Sequence, residues 1–150
     1  MNFPHRYTPS TRMRRMRRDA FSRQLMQENT LTVKDLILPV FILEGNNVEQ
    51  DVTSMPGVKR LSLDKLFYTC EECVELGIPL IDLFPADLNN KSLMAEEAYN
   101  PDGLVPTAIR EIRARFPDLG VMTDVALDPY TTHGQDGIIA AEGSVVHHIT

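Results

Sequence analysis

Tryptophan is absent from this 150-residue chain, and cysteine occurs only twice. Long apolar runs are also absent, and none approaches the ~20 residues that a membrane-spanning helix requires, so no membrane association is predicted. The basic N-terminus has no apolar stretch of the kind found in secretory signals, and we therefore expect a cytoplasmic protein. With 43% apolar residues, the chain still has enough hydrophobic material for a folded domain.

Several cofactor motifs are missing as well. The first strand-to-helix connection has no G-x-G-x-x-G pattern and the chain has no Walker lysine motif, which disfavours nucleotide binding. A calcium-binding EF-hand would need oxygen ligands at loop positions 1, 3 and 5 and a glycine at position 6. Asp124 is followed by Ala126, Asp128 and then Pro129, so that register fails.

The two cysteines, Cys70 and Cys73, form a C-x-x-C pair that raises the possibility of a redox centre or half a zinc site. They belong, however, to an apolar stripe with the i, i+3, i+4, i+7 spacing of one helical face. Its members are Leu63, Leu66, Phe67, Cys70, Cys73 and Val74. We interpret both thiols as buried core side chains, since no second C-x-x-C or paired histidine motif completes a zinc site.

Basic charge is concentrated at the N-terminus, where residues 1–23 have a net charge of +6 in a chain of net charge −6. The arginines are Arg6, Arg12, Arg14, Arg15, Arg17, Arg18 and Arg23. Nucleic-acid or acidic-membrane binding is disfavoured because the segment offers no aromatic platform and the remaining chain is acidic. An arm that lies across the acidic surface of a neighbouring subunit is favoured over a mobile, solvated tail.

Hydrophobic patterning predicts an N-terminal region, residues 1–30, and a second region, residues 31–150. In the first, residues 1–18 are predicted to be extended and residues 19–28 to form a short helix. In the second, strands are predicted at residues 36–43, 78–84 and 120–125, and helices at residues 63–76 and 101–116. Residues 44–60 and 86–99 are predicted to be loops.

Helix ends are marked by particular residues. Ser62 is predicted to cap the first long helix through its hydroxyl, and Gly77 to end it in the left-handed conformation. Asn100 is predicted to cap the second helix, with Pro101 in its first position. Strands that alternate with helices predict an α/β fold with parallel strands, either a doubly wound sheet or a (β/α)8 barrel.

The stretch with the most candidate functional residues is LGVMTDVALDPYTTHGQDG, residues 119–137. A short buried strand there delivers Asp124 to its C-terminal end, and a polar, glycine-containing loop with Asp128 and Asp136 follows. Asp128 before Pro129 also suits a simple turn, as does Asp136 before Gly137. Asp124, Asp128 and Asp136 are nevertheless the candidate catalytic residues.

The segment TDVALDPYTTHGQDG resembles the signature of the porphobilinogen synthases, also called 5-aminolevulinate dehydratases, in the form whose loop carries aspartates. The resemblance extends over residues 12–45, 54–66, 75–85 and 97–120. It implies an α/β fold that is the N-terminal part of a (β/α)8 TIM barrel, with about three of its eight strands, preceded by an extended arm. The family barrel continues well beyond the position of Thr150, and residues 138–150 resemble the start of its active-site lid.

The resemblance further implies an enzyme of tetrapyrrole (heme) biosynthesis that condenses two 5-aminolevulinate molecules to porphobilinogen with loss of water. Each substrate carbonyl is engaged by a lysine through a Schiff base, which requires a neutral amine. The lysines here are Lys34, Lys59, Lys65 and Lys91, and none ends a predicted strand. The family's lysines come from later strands, so this segment alone is expected to be inactive.

By the same resemblance, Asp124, Asp128 and Asp136 correspond to active-site acids that orient or polarise the second substrate. In the zinc-dependent branch of the family, the positions of Ala126, Asp128 and Asp136 are cysteines. Carboxylate oxygen suits Mg2+ or K+ and thiolate suits zinc, so we expect a weak Mg2+ or K+ site at Asp128 and Asp136, no active-site zinc and no organic cofactor. His133 is interpreted as a residue that orders the loop.

The resemblance implies a homo-octamer assembled through the arm, with 5-aminolevulinate as substrate and no nucleic-acid partner. The alternative is a non-catalytic assembly module that docks on full-length subunits. A chain that continues with a lysine at a later strand end would favour the enzyme over the module.

Overall fold

The computed structural model describes Arg12, residues 14–140 and residues 143–146. The chain divides into two compact units, Met1–Thr32 and Val33–Thr150. Most of the predicted extended segment, together with the end of the predicted lid, lies outside the described residues.

No described helix has both the length and the apolar character needed to cross a membrane.

The described part of the N-terminal unit contains two short helices, α1 at Arg15–Arg18 and α2 at Ala20–Leu25. The prediction of an extended conformation is therefore wrong at Arg15–Arg18. The guanidinium of Arg23 donates to the carbonyl oxygens of Arg17 at 3.1 Å and Arg18 at 2.9 Å. These bonds satisfy carbonyls that the end of a helix leaves free, which favours the additional turn.

Within its described residues, the second unit has seven strands and two long helices. The strands are β1 (Ile37–Ile42), β2 (Glu49–Asp51), β3 (Lys59–Leu61), β4 (Leu80–Pro85), β5 (Gly120–Thr123), β6 (Ile138–Ile139) and β7 (Val145–Val146). The helices are α3 (Leu63–Leu76) and α4 (Leu104–Arg115), with single 3-10 turns at Val33–Asp35 and Glu96–Tyr99.

The main sheet has the strand order β2-β3-β1-β4-β5. Strands β3, β1, β4 and β5 run parallel, whereas β2 is antiparallel to β3. Helix α3 connects β3 to β4, and α4 lies between β4 and β5, so each helix returns the chain to the start of the next parallel strand. The predicted α/β class is confirmed, with a partial parallel sheet.

The prediction of an uninterrupted loop over residues 44–60 is wrong, because β2 and β3 form a hairpin there. The amide of Val52 donates to the carbonyl of Val58 at 2.9 Å, and Lys59 pairs with Glu49 across the two strands. All three residues of β2 are exposed. A charged edge strand lacks the apolar alternation by which strands are recognised in a sequence.

The start of α4 also differs from the prediction. The side-chain oxygen of Asn100 accepts from the amide of Asp102 at 3.0 Å, so Asn100 forms a turn and does not cap the helix. The cap position belongs to Gly103, where an added Cβ would lie 2.6 Å from a carboxylate oxygen of Glu97. The helix therefore begins at Leu104, three residues later than the asparagine–proline pair indicates.

Helix α3 occupies the predicted residues and ends at Gly77, whose φ of 74° is the predicted left-handed conformation. Ser62 precedes the helix as predicted, but its hydroxyl makes no capping bond. That hydroxyl accepts from the amide of Val48 at 2.9 Å and lies 2.6 Å from a carboxylate oxygen of Asp64. Ser62 thus connects the β2 hairpin to the helix start.

The predicted burial of both cysteines is confirmed. Cys70 and Cys73 belong to the core cluster between the sheet and the helices, and both are free thiols. Burial raises the pKa of Cys70 to about 12, which removes the thiolate that a metal site or redox pair requires.

The sheet has two different faces because side chains alternate along each strand. Ile81 and Leu83 of β4 are fully buried in a cluster with Leu66 of α3 and Ile112 of α4. The residues between and beside them point to the opposite side, which we call the uncovered face. It comprises Ile37, Pro39, Phe41, Leu80, Asp82, Phe84, Gly120 and Met122 by strand register.

Apolar side chains on the uncovered face remain in contact with solvent, with Ile37 48% and Met122 40% exposed. We therefore expect the 150-residue chain, expressed alone, to self-associate through this face. Sedimentation velocity over a range of concentrations should show Met122→Lys reducing the association. A matched change on helix α3, Tyr68→Lys, should leave it unchanged. Sharp, reversible melting of a monomer would contradict this expectation.

Candidate active site

Two loops meet at the C-terminal ends of β4 and β5. The amide of Ser92, in the loop after β4, donates to the carbonyl of Tyr130 at 3.1 Å, and the amide of Thr132 donates to Ser92 at 3.0 Å. These bonds form a parallel bridge between Ser92 and Thr131. The loop that carries the three candidate aspartates is thus held against its neighbour by backbone bonds.

Asp136 closes this loop on itself. Its Oδ1 accepts from the amides of Leu127 at 2.7 Å and Asp128 at 3.1 Å. The buried hydroxyl of Thr131 lies 3.0 Å from the carbonyl oxygen of Gln135, and its residue is only 2% exposed. Because bonds to a charged acceptor are among the stronger hydrogen bonds, Asp136 fixes the loop conformation before any ligand arrives.

Asp124 and Asp128 occupy different positions in the same loop. Both residues are exposed. Asp124 directly follows β5, whereas Asp128 lies at the turn that Asp136 closes. The structure therefore brings Asp128 and Asp136 together through a backbone bond. The charge of Asp124 acts instead on Asp82 and Tyr130.

The sequence prediction did not include Asp82. This residue lies in β4, in register with Pro39 of β1 and Met122 of β5, on the uncovered face. Its Oδ1 is buried and has no hydrogen-bond partner within the described part of the chain. A single acidic residue in an apolar run, LIDLFP, was the available signal.

Burial, followed by the nearby charge of Asp124, raises the pKa of Asp82 above its ordinary value. The folded state therefore binds the Asp82 proton more tightly than the unfolded chain does. The stabilisation from this proton is complete below the unfolded pKa and is lost as the pH rises through the folded pKa. At higher pH the folded protein contains a carboxylate whose buried Oδ1 has no hydrogen-bond partner among the described residues.

Tyr130 is a second residue that was not predicted. Burial, followed by the charges of Glu97 and Asp124, raises the pKa of its phenol. The phenol is consequently held in its protonated form, in which it can donate a hydrogen bond. Tyr130 thus belongs to the polar group at the ends of β4 and β5.

His133 makes a hydrogen bond within its own loop. Its Nδ1 accepts from the amide of Gln135 at 3.3 Å, which places the ring proton of the neutral form on Nε2. That Nε2 is buried and has no partner among the described residues. The structure describes only part of the predicted lid, residues 138–150. Strands β6 and β7 pair antiparallel there, and His147 and His148 lie outside the described residues.

None of the four lysines ends a strand of the parallel sheet. Lys59 begins β3, Lys65 lies in α3, Lys34 lies in a 3-10 turn, and Lys91 is exposed in the loop after β4. Of these four, Lys91 lies in one of the two loops that meet at the site.

Metal ligands are sparse in the described part of this loop. Among the described residues, no group of three or more His, Cys, Asp or Glu side chains is arranged to bind a metal ion. Asp128 and Asp136 supply oxygen ligands alone, and Oδ1 of Asp136 is already bonded to two amides. This donor set suits a hard cation that keeps most of its water, and it lacks the sulfur and nitrogen ligands typical of zinc.

Removal of the Asp136 carboxylate is expected to open the loop. In Asp136→Ala, two amides lose a charged acceptor, at a local cost on the order of 1.5–3 kcal/mol, so the amides of Leu127 and Asp128 should exchange more than tenfold faster. Asp136→Asn retains an oxygen acceptor and should retain most of the protection. Unchanged exchange of both amides in Asp136→Ala would show that the carboxylate does not close the loop.

Comparisons with known proteins agree on one family. A sequence model of the delta-aminolevulinic acid dehydratase family matches residues 10–150. The delta-aminolevulinic acid dehydratase of Bradyrhizobium diazoefficiens is 45% identical over 140 residues, covering 93% of this chain and 39% of the relative. The chloroplastic enzyme of Selaginella martensii is 42% identical over 147 residues, covering 94% of this chain and 34% of the relative.

A solved structure is similar over the same region. The crystal structure of delta-aminolevulinic acid dehydratase (porphobilinogen synthase) from Toxoplasma gondii, in complex with the reaction product porphobilinogen, has a TM-score of 0.86 and 41% identity. The similarity covers 98% of this chain and 41% of that one. It confirms that the partial sheet is part of the TIM-barrel fold predicted from the sequence.

The chain thus spans about two fifths of the length of the relatives it matches. Since the family model matches nearly all of its residues, the chain belongs to the delta-aminolevulinic acid dehydratase family.

Proposed function

We propose that the complete protein containing this chain is a porphobilinogen synthase, which condenses two 5-aminolevulinate molecules to porphobilinogen with loss of water. The main support is the pre-ordered loop after β5, which presents Asp124 and Asp128 at the C-terminal edge of a parallel sheet. Active sites of barrels of this class lie at that edge. The similar Toxoplasma gondii structure contains porphobilinogen.

The three aspartates have different tasks in this proposal. Asp124 lies at the end of β5 beside Asp82, where it is placed to accept a proton from the reacting substrate. Asp128 is exposed and available to a substrate or a cation, and Asp136 holds Asp128 in place through the backbone. Schiff-base lysines come from the remaining part of the protein, because none of the four lysines here ends a strand of the parallel sheet.

The aspartate-rich form of the site is also part of the proposal. Asp128 and Asp136 would hold Mg2+ or K+ largely through water, and the cation would supply positive charge that polarises a substrate oxygen. The N-terminal arm, with its net charge of +6 over residues 1–23, would contact the acidic surface of a neighbouring subunit in a homo-octamer.

The proposed activity is tested by comparing the 150-residue chain with the complete protein. The complete protein should form porphobilinogen, and borohydride should trap 5-aminolevulinate on a lysine outside residues 1–150. The 150-residue chain should form no product, because it lacks those lysines. Trapping on Lys34, Lys59, Lys65 or Lys91 would contradict the proposed chemistry, and an inactive complete protein would favour a non-catalytic assembly module.

The metal content provides a separate test. After dialysis the complete protein should retain no stoichiometric zinc, because its loop offers carboxylate oxygens. Simultaneous replacement of Ala126, Asp128 and Asp136 by cysteine should create zinc affinity, since three thiolates and a water form the open tetrahedral site of a catalytic zinc. Elemental analysis that finds about one zinc per active site in the unmodified protein would exclude the aspartate-rich form.

A further inference from the structure

The hydrogen bonds of the loop after β5 converge on Thr131. Its hydroxyl donates to the carbonyl of Gln135, with the two oxygens 3.0 Å apart, and its amide donates to the carbonyl of Leu127 at 3.1 Å. The peptide groups on either side of Thr131 bond to Ser92 in the loop after β4. Thr131 is therefore bound to residues on both sides of it in its own loop and to the neighbouring loop.

The side chain of Thr131 is buried among exposed residues of the loop. Thr131 is 2% exposed, whereas Asp128 and Gln135 are exposed. A hydroxyl has a single proton, and the carbonyl of Gln135 is the nearer of its two acceptors, since that of Asp128 is 3.3 Å away. Because a buried hydroxyl without a partner is costly, the bond to Gln135 fixes the orientation of both groups.

Gln135 directly precedes Asp136, the residue that closes the loop. Both lie between Gly134 and Gly137, whose φ angles of 69° and 90° are in the left-handed region. Glycine loses more conformational freedom on folding than other residues do, so this turn needs bonds that hold it in one conformation. The hydroxyl of Thr131 supplies such a bond at the carbonyl immediately before Asp136.

We propose that Thr131 is a positioning residue of the active site. Its buried hydroxyl sets the direction of Asp136, whose carboxylate then fixes the backbone of Asp128. This inference rests on the proposed function, in which Asp128 is available to a substrate or a cation. The hydroxyl itself touches no reacting atom, because it is buried and donates its proton to the carbonyl of Gln135.

A general contribution to folding explains these contacts less well. The buried hydroxyl of Ser62 has such a role, because it connects the β2 hairpin to helix α3. In contrast, the hydrogen bonds of the Thr131 side chain stay within residues 128–135, in the loop that carries the candidate aspartates. Bonds confined to one loop govern its local opening more than the unfolding of the whole sheet. Loss of the hydroxyl should therefore change the presentation of Asp128 first.

The test uses the complete protein and three variants, Thr131→Val, Thr131→Ser and Thr107→Val. Valine keeps the branched shape of threonine and removes the hydroxyl, whereas serine keeps the hydroxyl. In Thr131→Val we expect kcat to fall about tenfold or more and KM to change little, because a misplaced catalytic group slows the reaction more than it weakens binding. Thr131→Ser should keep kcat within about threefold of the unmodified protein, because its buried bond remains.

Thr107→Val is the matched control. Thr107 lies in α4, outside both loops, and its hydroxyl also makes hydrogen bonds, with the carbonyl of Asp102 and the guanidinium of Arg110. The same chemical change there should leave kcat unchanged. Unchanged kcat in Thr131→Val would overturn the inference. A loss of about tenfold in Thr131→Ser would contradict it as well, so the serine variant remains a test even where the valine variant does not fold.

A second measurement does not require activity. Hydrogen exchange of the complete protein should show the amides of Leu127 and Asp128 exchanging about three- to tenfold faster in Thr131→Val, because Asp136 is then held less firmly. Both amides should keep their exchange rates in Thr131→Ser and in Thr107→Val. Equal rates in Thr131→Val and the unmodified protein would show that the hydroxyl does not position Asp128.

The two proposals fail in different ways. If the complete protein makes no porphobilinogen, the proposed function is wrong, and amide exchange alone decides whether Thr131 positions Asp128. If the complete protein is active but Thr131→Val keeps the kcat of the unmodified protein, only the inference about Thr131 is wrong.

Discussion

Side chains alternate between the two faces of the sheet along β4, and this alternation positions both the core and the candidate site. Ile81 and Leu83 bury their side chains against the helices, which forces Asp82 and Phe84 onto the opposite face. Phe84 meets Phe41 of β1 there, with ring centroids 5.9 Å apart. One strand thus anchors the helical layer and also supplies a carboxyl group to the candidate site.

The loop after β5 shows how backbone bonds can prepare a site for chemistry. Asp136 accepts two amides, and Ser92 joins the neighbouring loop through two further bonds, so Asp128 is presented in a fixed conformation. Such prior ordering lowers the entropic cost of binding a substrate. It also explains why three aspartates so close in sequence have different environments: one closes the loop, one is exposed at its turn, and one lies beside Asp82.

Much of the architecture could be predicted from the sequence, because local patterns determine it. Helix α3 has a regular apolar stripe and a glycine at its end, and its limits are those predicted. The three central parallel strands are short apolar runs and were also found. The hairpin of β2 and β3 was missed because its stability comes from pairing and from an ion pair between Lys59 and Glu49, with no apolar alternation to reveal it.

The site was predictable only in part, for a similar reason. The aspartates of the loop stand out in the sequence, but the amides bound by Asp136 and the effect of Asp124 on Asp82 arise from tertiary contacts. Likewise, the competition between capping and turn formation at Asn100 is decided by the approach of Glu97 to Gly103, which the sequence does not reveal.

We propose that the loop after β5 forms part of the site where porphobilinogen is made. A crystal structure of the complete protein with bound porphobilinogen would test this. We expect the product at the C-terminal edge of β4 and β5, with Asp124 within hydrogen-bond distance of it and Asp136 still bound to the amides of Leu127 and Asp128. Product bound at a site remote from Asp124 would contradict the claim.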